Sequence, residues 1–385
     1  MDVLRRVNWV QVAAMLLLVA IGTTCIWSAG NAREAAFHGM WKANLRTAAL
    51  GLAIYAALAW ADYRKVLQWV SLPAYAGALV LLVAVLALGS EIYGGRRWLW
   101  FFQPSEISKL CIIAFLAQVF GMKEPPAWLR SVGGFGLGCA LFGIPALLVL
   151  MEPDLGTALA LAPAFLVMLL AGRVWRRGIT ALLVAGALGA AALLGAVHEA
   201  ERPGVTPERR EAILRHVPLK PHQLKRVKTF LYPDTDPAGA GYTIRQAMIA
   251  IGSGGFAGRG IGKGETNSLK YLPPSISMND FIFCVYAEET GFVGSLVLLS
   301  LFATLCVSCA WIAWGAADLR GRLFALGFAT LLFAHVYVNV GMSVGLLPIT
   351  GLPLPFISSG RTFLLTVMAG LGITQSISIH KEEET

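Results

Sequence analysis

Charged side chains are scarce in this chain. Those that could do chemistry fall into clusters beside apolar runs. Asp280 stands in Met278-Asn279-Asp280-Phe281-Ile282-Phe283, where a polar stretch meets a long apolar one. An aspartate there can cap a helix. In a half-buried cavity mouth it can instead gain a raised pKa and act as a general base. Glu288 and Glu289 lie two turns deeper, where uncompensated acids are costly, so polar groups of a neighbouring helix are expected to meet them. A second cluster runs from Gly94-Gly95-Arg96-Arg97-Trp98 to Gln103-Pro104-Ser105-Glu106-Ile107-Ser108-Lys109. Pro104 can open a helix, and Glu106 and Lys109 then share one face at i, i+3. They suit a structural ion pair, or a polar cavity wall where Lys109 meets an anionic substrate. Arg96 and Arg97 can anchor at an interface or grip phosphate oxygens bidentately. The third cluster, Glu152-Pro153-Asp154-Leu155-Gly156-Thr157, can cap the next helix, coordinate a cation or hold basic site residues.

These residues need a frame, and composition says what kind. The 385 residues are 57% hydrophobic and only 14% charged, with a mean hydropathy of +0.67. Soluble domains carry roughly 25% charged residues, so an ordinary soluble enzyme and a disordered chain are both excluded. Apolar runs long enough for a bilayer predict about ten helices, at 8–29, 44–62, 66–89, 105–122, 131–151, 155–172, 177–197, 280–314, 321–345 and 361–379. With the N-terminus inside, the short inner segments carry twelve Lys and Arg and the short outer ones six. That bias puts both termini in the cytoplasm and residues 198–279 outside as one large loop. The expected architecture is therefore an all-α polytopic membrane protein, one domain over 1–385. In such a protein a net charge of +9 sets orientation and attracts anionic head groups rather than nucleic acid.

The loop is expected to form short interfacial helices, with Lys225, Arg226 and Lys228 near lipid head groups or substrate. Its glycines do not make a nucleotide site. Gly262-Lys263 is followed by Gly264, and Ala257 stands where a P-loop needs its first glycine. They are read as allowing turns and close approach to a ligand or a helix. The cysteines, Cys25, Cys111, Cys139, Cys284, Cys306 and Cys309, sit in apolar runs and read as small buried hydrophobes.

Taken in order, several segments resemble the shape, elongation, division and sporulation (SEDS) family of the RodA and FtsW type. They are Gln103 to Glu106 with Lys109, Glu152 to Thr157, Asp236-Pro237 with Gly241-Tyr242, Ala250 to Gly255, Asn279 to Phe283, Glu288 to Gly291, Asn339 to Met342, Gly345 to Gly351 and Pro353 to Ser358. The resemblance implies ten membrane helices in the bacterial cytoplasmic membrane. It implies an inverting peptidoglycan glycosyltransferase that joins lipid II into β-1,4 glycan strands. It also implies a class B penicillin-binding protein and other elongation-complex membrane proteins as partners. Asp280 takes the place of the family's catalytic aspartate, while Arg97, Trp98, Glu106, Lys109 and Asp154 match positions lining or supporting the substrate cavity. Arg96 and Glu152 join them as candidate substrate contacts.

Short tails favour the elongation branch over the division branch. The pattern implies no particular cofactor and leaves a divalent-metal requirement open, since Glu152, Asp154 and Asp280 could join in binding a divalent cation. Three places depart from it. Leu272 to Met278 is longer and lacks the usual Glu and His, Ala247 replaces a serine, and Ser359-Gly360-Arg361 replaces a Gly-Gly segment. A lipid II transporter and a noncatalytic scaffold are the rival readings. The first is weakened by the lack of matching broken helices in two halves.

Overall fold

The computed structural model describes residues 2–31, 37–92, 95–99, 102–122, 131–152, 154–172, 174–202, 204–217, 221–265 and 277–381. Lys123, Arg130, Arg33, Arg173 and the altered stretch 272–276 lie outside the described residues. So do Gly94, Pro153 and the side chain of Arg96.

Seven membrane-type helices come first: α1 (Trp9–Asn31), α2 (Met40–Trp60), α3 (Tyr63–Leu88), α4 (Pro104–Phe120), α5 (Val132–Met151), α6 (Leu155–Ala171) and α7 (Arg176–Ala200). Three shorter helices follow: α8 (Pro207–Arg215), α9 (Pro221–Leu231) and α10 (Ala240–Ser253). The chain closes with α11 (Ile282–Trp314), α12 (Leu319–Ser343) and α13 (Arg361–Ile379). The ten expected spans are thus present, and the chain is an all-helical, multi-pass membrane protein. Seven are long and apolar enough to cross a bilayer by length and composition alone. The others are shorter or more polar and find their place by packing: α2 along α13, α4 against α3 and α12, α6 against α12. Helices are required here because lipid offers backbone groups no partner.

α12 and α13 form the centre, buried along most of their length. Close approach rests on small residues. A Cβ at Gly22 of α1 would lie 2.1 Å from the Phe356 carbonyl oxygen. α7 stands at the periphery, with only Gly178, Ile179, Val197 and Ala200 buried. One end of the bundle gathers both termini. Arg6 Nη1 donates to the Lys381 carbonyl (2.9 Å), and Arg64 Nη2 to that of His380 (3.2 Å).

At the opposite end lies a two-stranded antiparallel hairpin, β1 (Ser90–Ile92) with β2 (Gly95–Trp98). Hydropathy did not anticipate it, because strands of three and four residues leave no periodic signal.

The glycine-rich stretch after α10 serves a helix break. α11 is interrupted at Gly291 (φ 69°, ψ −163°). That break frees backbone groups on both sides, and the stretch satisfies them. Arg259 N donates to the Glu288 carbonyl (3.0 Å) and Gly260 N to that of Glu289 (2.9 Å). Phe292 N and Val293 N donate back to Gly255 (2.9 Å) and Phe256 (3.2 Å). The expected partners of the two buried acids are here too. Glu289 accepts from Ser28 of α1, and Glu288 accepts from the Glu265 amide (2.9 Å).

Gly258→Ala is expected to fail where Gly252→Ala succeeds. The first adds a Cβ 2.2 Å from the Glu289 carbonyl oxygen at φ +81°, whereas the second meets nothing within 4 Å. Thermal unfolding in detergent should show a loss of about 3 kcal/mol or more for the first and a neutral or slightly favourable change for the second.

Candidate functional site

Between α12 and α13 the chain leaves helix geometry, and this broken segment, residues 344–360, is the platform of the site. Gly345 and Gly351 adopt positive φ (76° and 80°), as does the buried Phe356 (65°). Such backbone survives only where its polar groups are matched. Asn339 of α12, fully buried, spends both amide hydrogens on it. One goes to the Leu352 carbonyl (2.7 Å), the other to the carbonyl of Asp280 (2.8 Å). Ser358 Oγ accepts from Leu354 N (2.8 Å) and donates to the Asn279 carbonyl (2.6 Å). The aspartate's own backbone is thereby clipped to the broken segment.

Asp280 does not cap α11. The N-cap position is Phe281, and no side chain bonds the helix start. Its carboxylate accepts no hydrogen bond among the described residues and lies against Gly351, where a Cβ would be 3.5 Å from Oδ2. The aspartate is half-buried. Withdrawal from solvent pushes its carboxyl up to about 6, against the pull of the Arg226 and Arg97 charges and with the push of Asp154.

The turn between α5 and α6 abuts the same segment, because a Cβ at Gly156 would stand 3.1 Å from the Thr350 carbonyl oxygen. Asp154 caps α6 through Thr157 N (3.1 Å) and also accepts from Thr157 Oγ1 (2.8 Å), Ser105 Oγ (3.2 Å) and Gln103 Nε2 (3.2 Å). It joins the starts of α4 and α6. Arg97 Nε, from β2, donates to the Glu152 carbonyl (3.1 Å). Trp98 follows it, half-buried. Glu152 itself is fully buried, and neither carboxyl oxygen has a hydrogen-bond partner among the described residues. Burial, then the Asp154 charge, pushes it up to about 9 against the pull of Arg97, so it is a neutral acid at pH 7.

Glu106 and Lys109 sit at the head of α4 and form an ion pair (2.7 Å) that is shut away from solvent. Lys109 Nζ also contacts His335 Nε2 at 3.0 Å and lies 4.8 Å from the centre of the Phe363 ring. An ammonium only donates, so Nε2 accepts, and Nδ1 carries the hydrogen it gives to the Pro353 carbonyl (3.2 Å). Lys109 Nζ is therefore surrounded by protein groups. The cluster braces the broken segment from beneath.

The structure therefore brings Arg97, Glu152, Asp154 and Asp280 together around Thr350–Leu352 and sets Glu106 and Lys109 behind them. Arg226 of α9, expected from sequence with Lys225 and Lys228 near lipid head groups or substrate, joins this group. Its Nη1 donates to the Thr350 carbonyl (3.0 Å). His335 was visible as the one ionisable residue in an otherwise apolar run. Arg361 is exposed at the start of α13. Among the described residues no group of three or more His, Cys, Asp or Glu is arranged to hold a metal ion.

Residues 8–383 match the FtsW/RodA/SpoVE family of cell cycle proteins. The peptidoglycan glycosyltransferase MrdB of Escherichia coli K12 is 36% identical over 374 residues, covering 96% of this chain and 92% of that one. A chain of a peptidoglycan synthase complex that coordinates polymerization and crosslinking superposes with a TM-score of 0.75 at 28% identity. The match covers 98% of this chain and 99% of that one. The rod shape determining protein RodA of Thermus thermophilus gives 0.66 at 27%, covering 98% of each. The chain belongs to the FtsW/RodA/SpoVE family.

Two measurements check this geometry. Glu106→Gln and Lys109→Met should each cost about 3 kcal/mol by thermal unfolding, and the double variant clearly less than their sum, because each single change strands a buried charge. The folded protein holds the Glu152 proton more tightly than the unfolded chain does. Its contribution to stability therefore falls as pH rises from the ordinary carboxylate range towards 9, and Glu152→Gln should remove that slope.

Proposed function

We propose that this chain, a peptidoglycan glycosyltransferase by family, extends glycan strands from a lipid-linked disaccharide diphosphate (lipid II) with Asp280 as the general base. The observation that carries this reading is the state of Asp280. Its carboxylate is held by its backbone beside the broken segment and near guanidinium groups, and it accepts no hydrogen bond among the described residues.

A sugar hydroxyl is a poor nucleophile until its proton has somewhere to go. The acceptor's 4-hydroxyl oxygen attacks the donor's anomeric carbon, and its proton passes to the Asp280 carboxylate. The new C1–O4 bond forms as the C1–O bond to phosphate breaks. The electron pair leaves with the lipid diphosphate, whose growing charge Arg97 is placed to meet. A single displacement inverts the α-linked donor to a β-linkage. Glu152, Asp154, Glu106 and Lys109 sit behind these groups and hold them in position, and Trp98 follows Arg97 on the hairpin. The Lys and Arg excess at the other end of the bundle supports placing the site on the outer side of the bacterial cytoplasmic membrane.

The likeness to MrdB and to a rod shape determining RodA supports a role in cell elongation. The likeness to a synthase-complex chain supports a crosslinking penicillin-binding partner. A lipid II transporter would need no base, which the unbonded Asp280 argues against.

Purified full-length protein, with a penicillin-binding partner whose transpeptidation is blocked, tests this on lipid II. Wild type should give long strands. Asp280→Ala should give none, with an unchanged melting temperature. Because the base must be ionised, the wild-type rate should fall as pH drops through about 6. Equal strand formation by both proteins removes Asp280 from the chemistry.

A further inference from the structure

The end of the bundle that gathers both termini holds a groove that the polymerase reading does not use. It lies between the start of α1 and the last turns of α11, with a volume of about 640 Å³. Trp9 and Val10 form one wall and Val307 and Trp311 the other, while Asn8 and Ser308 add polar atoms. Both indoles stand in the open, Trp9 59% and Trp311 72% exposed. Tryptophan favours the bilayer interface, where part of the ring is apolar and part is wet. From Ala303 to Trp311 the groove follows two turns of α11, about 12 Å. That length suits part of one acyl chain. It is too short to seat a membrane helix of about 20 residues.

Cations reach the mouth of the groove from both of its walls. Arg5 stands two residues before Val7, which lines the groove. Its side chain is exposed and makes no hydrogen bond or ion pair among the described residues. Trp9 Nε1 donates to the Leu4 carbonyl (3.2 Å), which holds this basic turn, Asp2–Arg6, against the ring. On the other side, the Lys381 ammonium lies over Gly315, one turn beyond Trp311, where an added Cβ would meet it. It too has no hydrogen bond or ion pair among the described residues. The two ends of the chain are tied together here. Arg6 Nη1 donates to the Lys381 carbonyl (2.9 Å), and Ser378 Oγ donates to that of Arg6 (2.8 Å). Unspent cations at the mouth of an apolar, tryptophan-edged groove match an anion that carries its own hydrocarbon.

We propose that this groove binds an anionic diacyl phospholipid, with one acyl chain between Trp9 and Trp311 and the phosphate at Arg5 and Lys381. The Lys and Arg excess at this end supports the cytoplasmic leaflet as its source. The lipid is not a substrate, since Asp280 lies at the opposite end of the bundle. Filling the groove clamps α1 to α11. The same seam carries the bond from Ser28 to Glu289 beside the break at Gly291. Glu382 to Glu384 follow Lys381 in sequence, outside the described residues, and their like charge opposes the headgroup.

The test uses full-length protein in detergent, titrated with phosphatidylglycerol and with phosphatidylcholine of the same chains and read by native mass spectrometry. Wild type should prefer phosphatidylglycerol by about 5-fold for each cation, or about 25-fold in all. Arg5→Gln combined with Lys381→Gln should erase most of that preference and leave phosphatidylcholine nearly unchanged. Removing residues 382–385 should tighten phosphatidylglycerol. Trp311→Ala should weaken both lipids alike, whereas Trp69→Ala, an equally exposed indole on α3, should weaken neither. Phosphatidylglycerol with a photoreactive acyl chain should label residues 7–10 and 303–311.

Equal retention of the two lipids by wild type overturns the proposal, as does a double variant that keeps the wild-type preference. Looser phosphatidylglycerol binding after loss of 382–385 overturns the assignment of charge, and labelling elsewhere overturns the location. A double variant that melts lower without lipid and loses both lipids alike points to a structural role for the two cations and also overturns it. Displacement of phosphatidylglycerol by an equal amount of polyprenyl phosphate overturns the choice of a phospholipid. None of these outcomes depends on strand formation.

Discussion

The structure depends on one constraint, the cost of leaving a backbone polar group without a partner inside a membrane protein. Helices meet it automatically, but two of the described segments leave helix geometry. At Gly291 the freed amides and carbonyls of α11 are taken up by a glycine-rich stretch of the loop, whose approach leaves no room for a side chain at Gly254 or Gly258. At 344–360 they are taken up by Asn339, Ser358, His335 and Arg226. The second repair has a chemical consequence. Side chains recruited to quiet the backbone come from α9 and α12, and they hold Asp280 and a guanidinium at fixed places on the same platform.

The buried charges divide by what they can still do. Lys109 is held among Glu106, His335 and the Phe363 ring, and it is sealed from solvent. Asp154 accepts four hydrogen bonds and joins two helix starts. Both are positioning elements, whatever field they contribute. Asp280 keeps an open carboxylate and Arg226 keeps open donors. An incoming sugar or phosphate can be met only by groups with unspent hydrogen-bonding capacity, so the reactive part of the cluster is smaller than its list of ionisable residues suggests.

Much of this was legible in the sequence. The ten helices followed from apolar length, and the Glu106–Lys109 pair from i, i+3 spacing. The Asp154 cap followed from its place before an apolar run. Asp280 stood out as an acid at the edge of one, and the glycines were read as permitting close approach, which they do at Gly291. The hairpin was not legible, because its strands are too short to show alternation. Nor was the inward turn of Arg226, since Lys225 and Lys228 look identical to it in sequence. Only their tertiary partners, Asp236 and Glu201, separate the three. The Asn339 clip was hidden for a similar reason. Its two acceptors, Asp280 and Leu352, lie 59 and 13 residues away, and no local pattern links positions so far apart.

Two influences on the Asp280 carboxyl oppose one another. Each guanidinium stabilises the ionised form of Asp280, which favours deprotonation but weakens it as a base. Desolvation works the other way, favouring the protonated form and strengthening the base. Here desolvation prevails, and the carboxyl is raised to about 6 despite two nearby arginines. That places it just below neutral pH, where the group is mostly ionised yet retains basicity.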